Sequence, residues 1–136
     1  MRHLTLFAVL ASLLMLTVGA VAVRTVIEPT TTTTNGNGTF DWYALNSGGH
    51  FYNASVDGSQ LLVINTTTTA TAYPQNITIV AGEYWRSALG DKLFQLPTNN
   101  TYVLGPFESS RFKQYNETVL INSNATRGSI ALIQMS

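Results

Sequence analysis

The residues of this chain that could perform chemistry are few and widely separated. The 136 residues include no cysteine, which excludes thiol catalysis, zinc–thiolate sites and iron–sulfur clusters. His50 follows a Gly-Gly pair and stands alone in the sequence, so we predict a structural or solvated histidine. No serine lies in a Gly-x-Ser-x-Gly motif, and no glycine-rich phosphate loop precedes a helical pattern. We therefore predict no catalytic residues, no metal ligands and no cofactor.

The carboxylates are the remaining candidates for acid–base catalysis. They are Glu28, Asp41, Asp57, Glu83, Asp91, Glu108 and Glu117. Glycoside hydrolysis needs two such groups about 5 to 10 Å apart across a cleft. Asp57 and Asp91 each adjoin a glycine, which is typical of turns, and Glu117 lies inside a glycosylation motif. A carboxylate-pair enzyme remains an alternative, but the pattern favours a non-enzymatic protein.

Asparagine modification is the chemistry that the sequence predicts most strongly. Seven asparagines stand in Asn-x-Ser/Thr motifs without an intervening proline, and these sequons begin at Asn37, Asn53, Asn65, Asn76, Asn99, Asn116 and Asn124. Random placement of the same residues would give roughly two sequons. We predict a surface protein that carries N-linked glycans. The alternative is that Asn and Thr, both common in turns, cluster for that reason alone.

The segment from Leu4 to Val23 is uncharged and almost entirely apolar. A helix of this length spans about 30 Å, the thickness of a bilayer core. Two interpretations stay open for residues 1–23. The segment is a signal-anchor closed by Arg24, or a signal peptide with a small-residue cleavage site around Ala20 to Ala22. With Arg2 at its inner end, both interpretations place the remaining chain outside the cytoplasm.

The low charge of the chain limits its partners. Its formal net charge is zero and charged residues make up 10% of it, so no basic patch is available for nucleic acid. The polar surface must come from Thr, Asn and Ser instead. Such a neutral surface suits packing against copies of the same chain, or a glycan coat.

Residues 24–39 are predicted to form a linker or stalk. Pro29 is followed by five threonines and then by an Asn/Gly-rich run, without apolar periodicity. A second hypothesis is that the short β-prone piece around Val26 and Ile27 inserts as a donor strand into a neighbouring copy. These two residues are therefore predicted interface residues.

Residues 40–136 are predicted to form one all-β domain, a β-sandwich of jelly-roll or Ig-like type, preceded by the hydrophobic N-terminal helix. Short β-prone runs recur with turn signals between them, and no long helical pattern follows residue 40. Two hairpins are predicted, one around Asp57-Gly58 and one around residues 124–128. The predicted core consists of Leu62, Ile64, Ile77, Ile79, Leu93, Phe94, Val103, Val119, Ile121, Ile130 and Leu132.

Two aromatic pairs, Trp42-Tyr43 and Tyr84-Trp85, are predicted interface residues because aromatic side chains concentrate at protein interfaces. The alternative is that they pack in the core. Another distinctive stretch, residues 102–114, reads YVLGPFESSRFKQ. We predict that Phe107 and Phe112 fix this loop onto the domain and that Glu108 pairs with Arg111.

The order of residues 102–114, followed by two C-terminal strands, resembles small β-sandwich coat or decoration proteins of tailed-virus capsids. The resemblance spans at most residues 40–136 and implies a structural role in a virion. Those virion proteins lack export segments and sequons, and a membrane-containing virus would combine both features. The overall layout is also similar to archaeal pilins, in which an apolar helix precedes a Thr-rich glycosylated β domain. The charged-Gly processing site of pilins is missing here.

The sequence leaves three functional hypotheses. The first is a non-enzymatic structural subunit of an extracellular assembly, a filament, envelope or virion coat, whose partners are copies of itself. The second is an accessory subunit or a glycan- or protein-binding module, anchored in a membrane through residues 4–23. The third is an enzyme. We favour the first because the chain combines a low-charge surface with a lack of catalytic motifs.

Overall fold

The computed structural model describes residues 23–31, 39–55, 57–66, 74–125 and 127–135. This part of the chain is mostly β, with two mixed sheets and little helix. None of its helices is long and apolar enough to cross a bilayer. The hydrophobic helix predicted for residues 1–23 lies outside the described residues except for Val23, which is exposed.

The described residues contain ten strands and two short helices. The strands are β1 (Thr25–Val26), β2 (Pro29–Thr31), β3 (Tyr43–Ala44), β4 (His50–Asn53), β5 (Gln60–Asn65), β6 (Gln75–Ile79), β7 (Lys92–Leu96), β8 (Thr101–Leu104), β9 (Thr118–Ser123) and β10 (Ser129–Gln134). A 3₁₀ helix covers Ser87–Leu89, and α1 covers Ser109–Phe112.

The strands form two five-stranded sheets. The first has the order β1-β4-β9-β6-β7, and the second has the order β2-β10-β5-β8 with β3 also paired to β10. Eight strands form four antiparallel pairs: β3 with β10, β4 with β9, β5 with β8, and β6 with β7. The pairs are nested, because the first of these strands pairs with the last, the second with the second to last, and so on inward. The two N-terminal strands are the exception, because β1 runs parallel to β4 and β2 runs parallel to β10.

Both predicted hairpins are wrong in their pairing. The chain turns at Asp57-Gly58 and again near residues 124–128, but in each case the two flanking strands belong to different sheets. Turn residues accept a sharp change of direction whether the next strand pairs with the last one or crosses to the opposite sheet. The sequence therefore located the turns correctly and misidentified the strand partners.

One hydrophobic core receives side chains from both sheets. Eight of the predicted core residues are buried: Leu62, Ile64, Ile77, Ile79, Val119, Ile121, Ile130 and Leu132. Phe94 is partly buried and packs against this cluster. Leu93 and Val103 are not core residues, since 51% and 61% of their surfaces are exposed. Both are odd-numbered residues of the edge strands β7 and β8. Side chains alternate between the two faces of a strand, and the odd-numbered ones here point away from the core.

The first part of the predicted linker lies in the two sheets. Strand β1 extends the first sheet beside β4, the chain crosses at Ile27, and β2 extends the second sheet beside β10. Ile27 is only 1% exposed and belongs to the core cluster. The β domain therefore begins before residue 40, at about Arg24, while residues 32–38 lie outside the described part of the chain.

Candidate interaction surface

Two loop segments, residues 80–91 and 105–117, come together at one end of the sheets. Ile79 ends β6 opposite Lys92 at the start of β7, and Asn53 ends β4 opposite Thr118. The chain enters at the other end, where Thr25 pairs with His50 at the start of β4. We call residues 80–91 and 105–117 the distal loop cluster.

Backbone hydrogen bonds join the two segments of the distal loop cluster. Gly82 N donates to Arg111 O at 2.7 Å, and Arg86 N donates to Ser110 O at 3.0 Å. Gly82 is required at this contact, because a Cβ there would collide with the backbone of Lys113. The two loops therefore form one packed unit.

Side chains reinforce this unit by capping backbone groups. The Arg111 guanidinium donates to Gly90 O at 3.0 Å and to Leu89 O at 3.3 Å. Asp57, which the sequence assigned to a turn, accepts hydrogen bonds from the backbone N–H and the hydroxyl of Ser109. A third loop is thereby tied to the start of α1.

The ion pair predicted between Glu108 and Arg111 does not form. Glu108 pairs instead with Arg86 from the other loop segment, because Arg111 is committed to the backbone carbonyls near Gly90. The prediction for the phenylalanines is confirmed: Phe112 is buried and Phe107 packs against the core cluster.

An open groove of about 350 Å³ lies beside the distal loop cluster, between the edge strands β7 and β8. Three phenylalanine rings line it in a row, with centroid distances of 6.3 Å from Phe94 to Phe107 and 5.7 Å from Phe107 to Phe112. Leu104 and Val103 contribute the β8 wall. The groove therefore presents an aromatic floor next to two strand edges.

The rim of the groove carries more positive than negative charge. Arg86, Lys92 and Arg111 line it, against the single carboxylate of Glu108. Arg86 is paired with Glu108, and Lys92 forms no ion pair with any residue that the structure describes. The Lys92 ammonium lies 5.6 Å from the centroid of the Phe94 ring, at the mouth of the groove. Nothing in the sequence pattern indicated that Lys92 and Phe107 would share a site.

The distal loop cluster exposes large apolar side chains. Trp85 is 81% exposed, and Leu89 and Tyr115 are also exposed. The predicted interface residue Tyr84 is half-buried, stacks edge-on against Tyr115 at 5.5 Å, and donates to Glu117 Oε1 at 3.3 Å. The cluster thus displays three exposed apolar side chains on a scaffold tied by hydrogen bonds.

The other predicted interface residues lie elsewhere. Trp42 is 43% exposed and stacks edge-on against Phe40, and the hydroxyl of the half-buried Tyr43 accepts a hydrogen bond from Glu28 N at 3.3 Å. Val26 and Ile27 pair within their own chain, where Ile27 fills the core. The structure thus places Trp42 and Trp85 on separate surfaces and Ile27 on neither. Exchange of this segment between copies stays a prediction.

Five of the predicted glycosylation asparagines are exposed: Asn53, Asn65, Asn99, Asn116 and Asn124. Asn76 is half-buried within β6, and its buried side-chain oxygen has no hydrogen-bond partner in the described part of the chain. Asn37 lies outside the described residues. None of the residues that line the groove is an asparagine.

His50 is fully buried at the start of β4, and neither ring nitrogen has a hydrogen-bond partner among the residues that the structure describes. Burial, and secondarily the nearby Arg24 guanidinium, lower the pKa of His50 below its usual value. It is therefore neutral at pH 7, as a structural histidine would be. At the distal end, a hydrogen bond between half-buried Lys113 and exposed Glu117 raises the pKa of Lys113 and lowers that of Glu117.

Within the described ranges, no group of three or more His, Cys, Asp or Glu side chains is placed to hold a metal ion. Comparison of the chain with protein families, curated proteins and solved structures gives no match.

Proposed function

We propose that this protein is a non-enzymatic structural subunit of an extracellular assembly, and that the distal loop cluster is its contact surface. One observation carries the proposal: Trp85, Leu89 and Tyr115 are each exposed on loops that are tied by backbone hydrogen bonds and ion pairs. A rigid scaffold that displays a large aromatic side chain to solvent is typical of a protein contact site.

The strand pairing supports a more specific fold. We infer that the two sheets form a β-sandwich of the jelly-roll type. In a jelly roll, an antiparallel ribbon of eight strands wraps around a core, so that its pairs are nested about the middle of the ribbon. The nested pairs from β3 with β10 to β6 with β7 fit this plan. Jelly rolls occur in viral capsid and lectin domains, which agrees with a structural or binding role.

The two ends of the domain suggest how the subunit is oriented. The apolar segment of residues 4–23 directly precedes Arg24, whose guanidinium donates to Ile121 O at 2.9 Å at the entry end of the sheets. If that segment stays in a membrane, the distal loop cluster faces away from the lipid. No asparagine lines the groove, so glycans would leave it accessible, whereas a glycan on exposed Asn116 would lie within the distal loop cluster beside Tyr115.

A second function has its own support. The groove between β7 and β8 favours an accessory subunit or binding module that grips a larger complex. Aromatic floors with a charged rim are common at protein contact sites.

The test compares two exposed tryptophans in the full chain purified from its producing cells. We expect Trp85→Ala to abolish the assemblies that negative-stain microscopy and light scattering detect, because it removes the most exposed apolar side chain of the cluster. Trp42→Ala is the matched control, since Trp42 lies away from the cluster beside β3. We expect it to leave assembly intact.

Three results would contradict the proposal. One is a wild-type chain that stays monomeric at all concentrations. Another is assembly that survives Trp85→Ala and fails with Trp42→Ala. The third is turnover of a substrate that is lost on substitution of one carboxylate in a folded protein.

A further inference from the structure

The two lateral sides of the sheets differ in how their edges are covered. On one side, which we call the closed side, β1 covers the edge of β4, and β2 and β3 cover the edge of β10. On the other, the open side, β7 and β8 pair only with β6 and β5 among the described strands. The groove with the phenylalanine floor lies on the open side.

The backbone of β8 has hydrogen-bonding groups that point away from its own sheet. Thr66 N donates to Asn100 O at 2.8 Å, so these two residues form a hydrogen-bonded pair next to the β5–β8 ladder. Along that ladder, hydrogen-bonded and non-hydrogen-bonded pairs alternate from this point. Tyr102 and Leu104 then exchange hydrogen bonds with β5, while the N–H and C=O groups of Thr101 and Val103 face the open edge.

The same argument applies to β7. Asn124 N donates to Asn76 O and Val80 N donates to Leu120 O, so the even residues of β6 face β9. Its odd residues therefore bond to β7, and the backbone groups of Leu93 and Gln95 face outward. Neither edge strand contains an internal proline or a bulge, and the charged residue of the two strands is Lys92, which lies at the groove.

The closed side shows what kind of segment fits between these sheets. There, a short extended segment pairs through two residues with β4 and three with β10, and inserts Ile27 into the core. Glu28 follows Ile27 and is exposed. The groove on the open side offers the same kind of place, with an aromatic floor for one bulky apolar side chain.

The net positive charge of the groove disfavours a second copy of this chain as its occupant. Two copies joined edge to edge would bring Lys92 and Arg111 of each chain together. The apolar-acidic segment of a second copy, Ile27-Glu28, is already engaged in its own closed side. A segment with a carboxylate beside its apolar residue would instead meet the unpaired Lys92.

We infer that the open side of the sheets is an acceptor site for an extended strand of a different protein, one that inserts a bulky apolar side chain between Phe94 and Phe107 and places an acidic residue at Lys92. This mode of binding extends a sheet edge through backbone hydrogen bonds, while a pocket gives specificity. The inference rests on the proposed role as an assembly subunit and names the chemistry of its partner.

The test uses the full chain in mild detergent and a library of blocked octapeptides with alternating apolar and polar residues. The central residue is Ile, Phe or Ala, and its neighbour is Glu, Gln or Lys. We expect peptides with a central Ile or Phe and a neighbouring Glu to bind at least tenfold more tightly than those with Ala or Lys. Fluorescence anisotropy of labelled peptides measures these affinities.

Three variants locate the site. Val103→Pro removes an N–H that faces the open edge and is not used by β5, so we expect it to weaken peptide binding at least tenfold without unfolding the protein. Val103→Thr is its matched control, because it keeps the N–H and should bind normally. Lys92→Glu should reverse the charge preference of the groove, so that peptides with Lys beside the central residue bind more tightly than those with Glu. Circular dichroism and thermal unfolding check that each variant is folded.

Three results would overturn the inference. No peptide in the library binds, the affinity does not depend on the charge of the residue beside the central one, or Val103→Pro binds the peptides as tightly as Val103→Thr does. It is also overturned if the wild-type chain dimerises and Val103→Pro makes it monomeric, since the occupant is then a second copy. Loss of assembly in Trp85→Ala tests the proposed function separately, because Trp85 does not line the groove.

Discussion

The closed and open sides of this domain are built from similar strands but are completed differently. On the closed side, an N-terminal segment supplies a buried isoleucine and covers two strand edges. On the open side, Leu93 and Val103 face solvent and a groove remains between the edges. The difference shows that strand sequence alone does not complete a sheet edge. A segment from elsewhere must be held against it.

Substitution of Ile27 on the closed side should give the largest difference in unfolding free energy between the two sides. We expect Ile27→Ala to lower the free energy of unfolding by about 2 to 5 kcal/mol, because it leaves a cavity in the core. Val103→Ala on the open side should change it by no more than about 0.5 kcal/mol, because Val103 is largely exposed. Urea unfolding followed by circular dichroism measures both. Equal losses would mean that the open side is covered in solution.

An intermediate effect should come from Arg24, which holds the segment of the closed side in place. Its guanidinium donates to Ile121 O at 2.9 Å and to Asn122 Oδ1 at 2.6 Å. We expect Arg24→Ala to cost about 1 to 2 kcal/mol of unfolding free energy and to speed amide exchange at Ile27. Lys92→Ala, on the open side, should be neutral within about 0.5 kcal/mol. Unchanged exchange at Ile27 would show that Arg24 does not hold the segment.

The smallest effect should be a pH dependence from His50, beside the closed side. Its pKa is lowered in the folded protein, so below about pH 6.5 the unfolded chain binds the proton first. The free energy of unfolding should therefore fall as the pH drops below that value, by at most about 1.4 kcal/mol per pH unit, and level off below the folded-state pKa. It should be constant with respect to this group above pH 7.

Urea unfolding at several pH values tests this expectation. His50→Gln removes the titrating group, so the difference between variant and wild type isolates the histidine from the carboxylates. An equal pH dependence in both proteins would contradict the prediction.

Much of the strand pattern could be predicted from local sequence. Alternating apolar residues such as Ile77 and Ile79 located β6, and glycines and prolines located the breaks between strands. The exposure of Leu93 and Val103 could not be predicted, because local sequence did not identify which face of each strand meets the core. The pairing of Glu108 with Arg86 rather than Arg111 depended on contact between two distant loops in the same way.

The candidate site was foreseen only in part. Residues 102–114 and Trp85 stood out because aromatic side chains occur there without strand alternation. The groove itself combines Phe94 and Lys92 of β7 with Phe107 beyond β8, and no spacing in the sequence relates them. A salt bridge and shared backbone hydrogen bonds join the loops, and they link residues that are far apart in the sequence, such as Arg86 and Glu108.

The sequence by itself determined that residues 40–136 form short strands, which alternating isoleucines hold around a core without disulfides. The period of side-chain alternation is a local property of an extended chain, so it can be read directly from neighbouring residues. Tertiary structure alone decided that the Asp57-Gly58 turn leads to the opposite sheet, that Ile27 closes one side, and that β7 and β8 leave the other side open. Those outcomes depend on free-energy differences between long-range pairings, which local sequence does not encode.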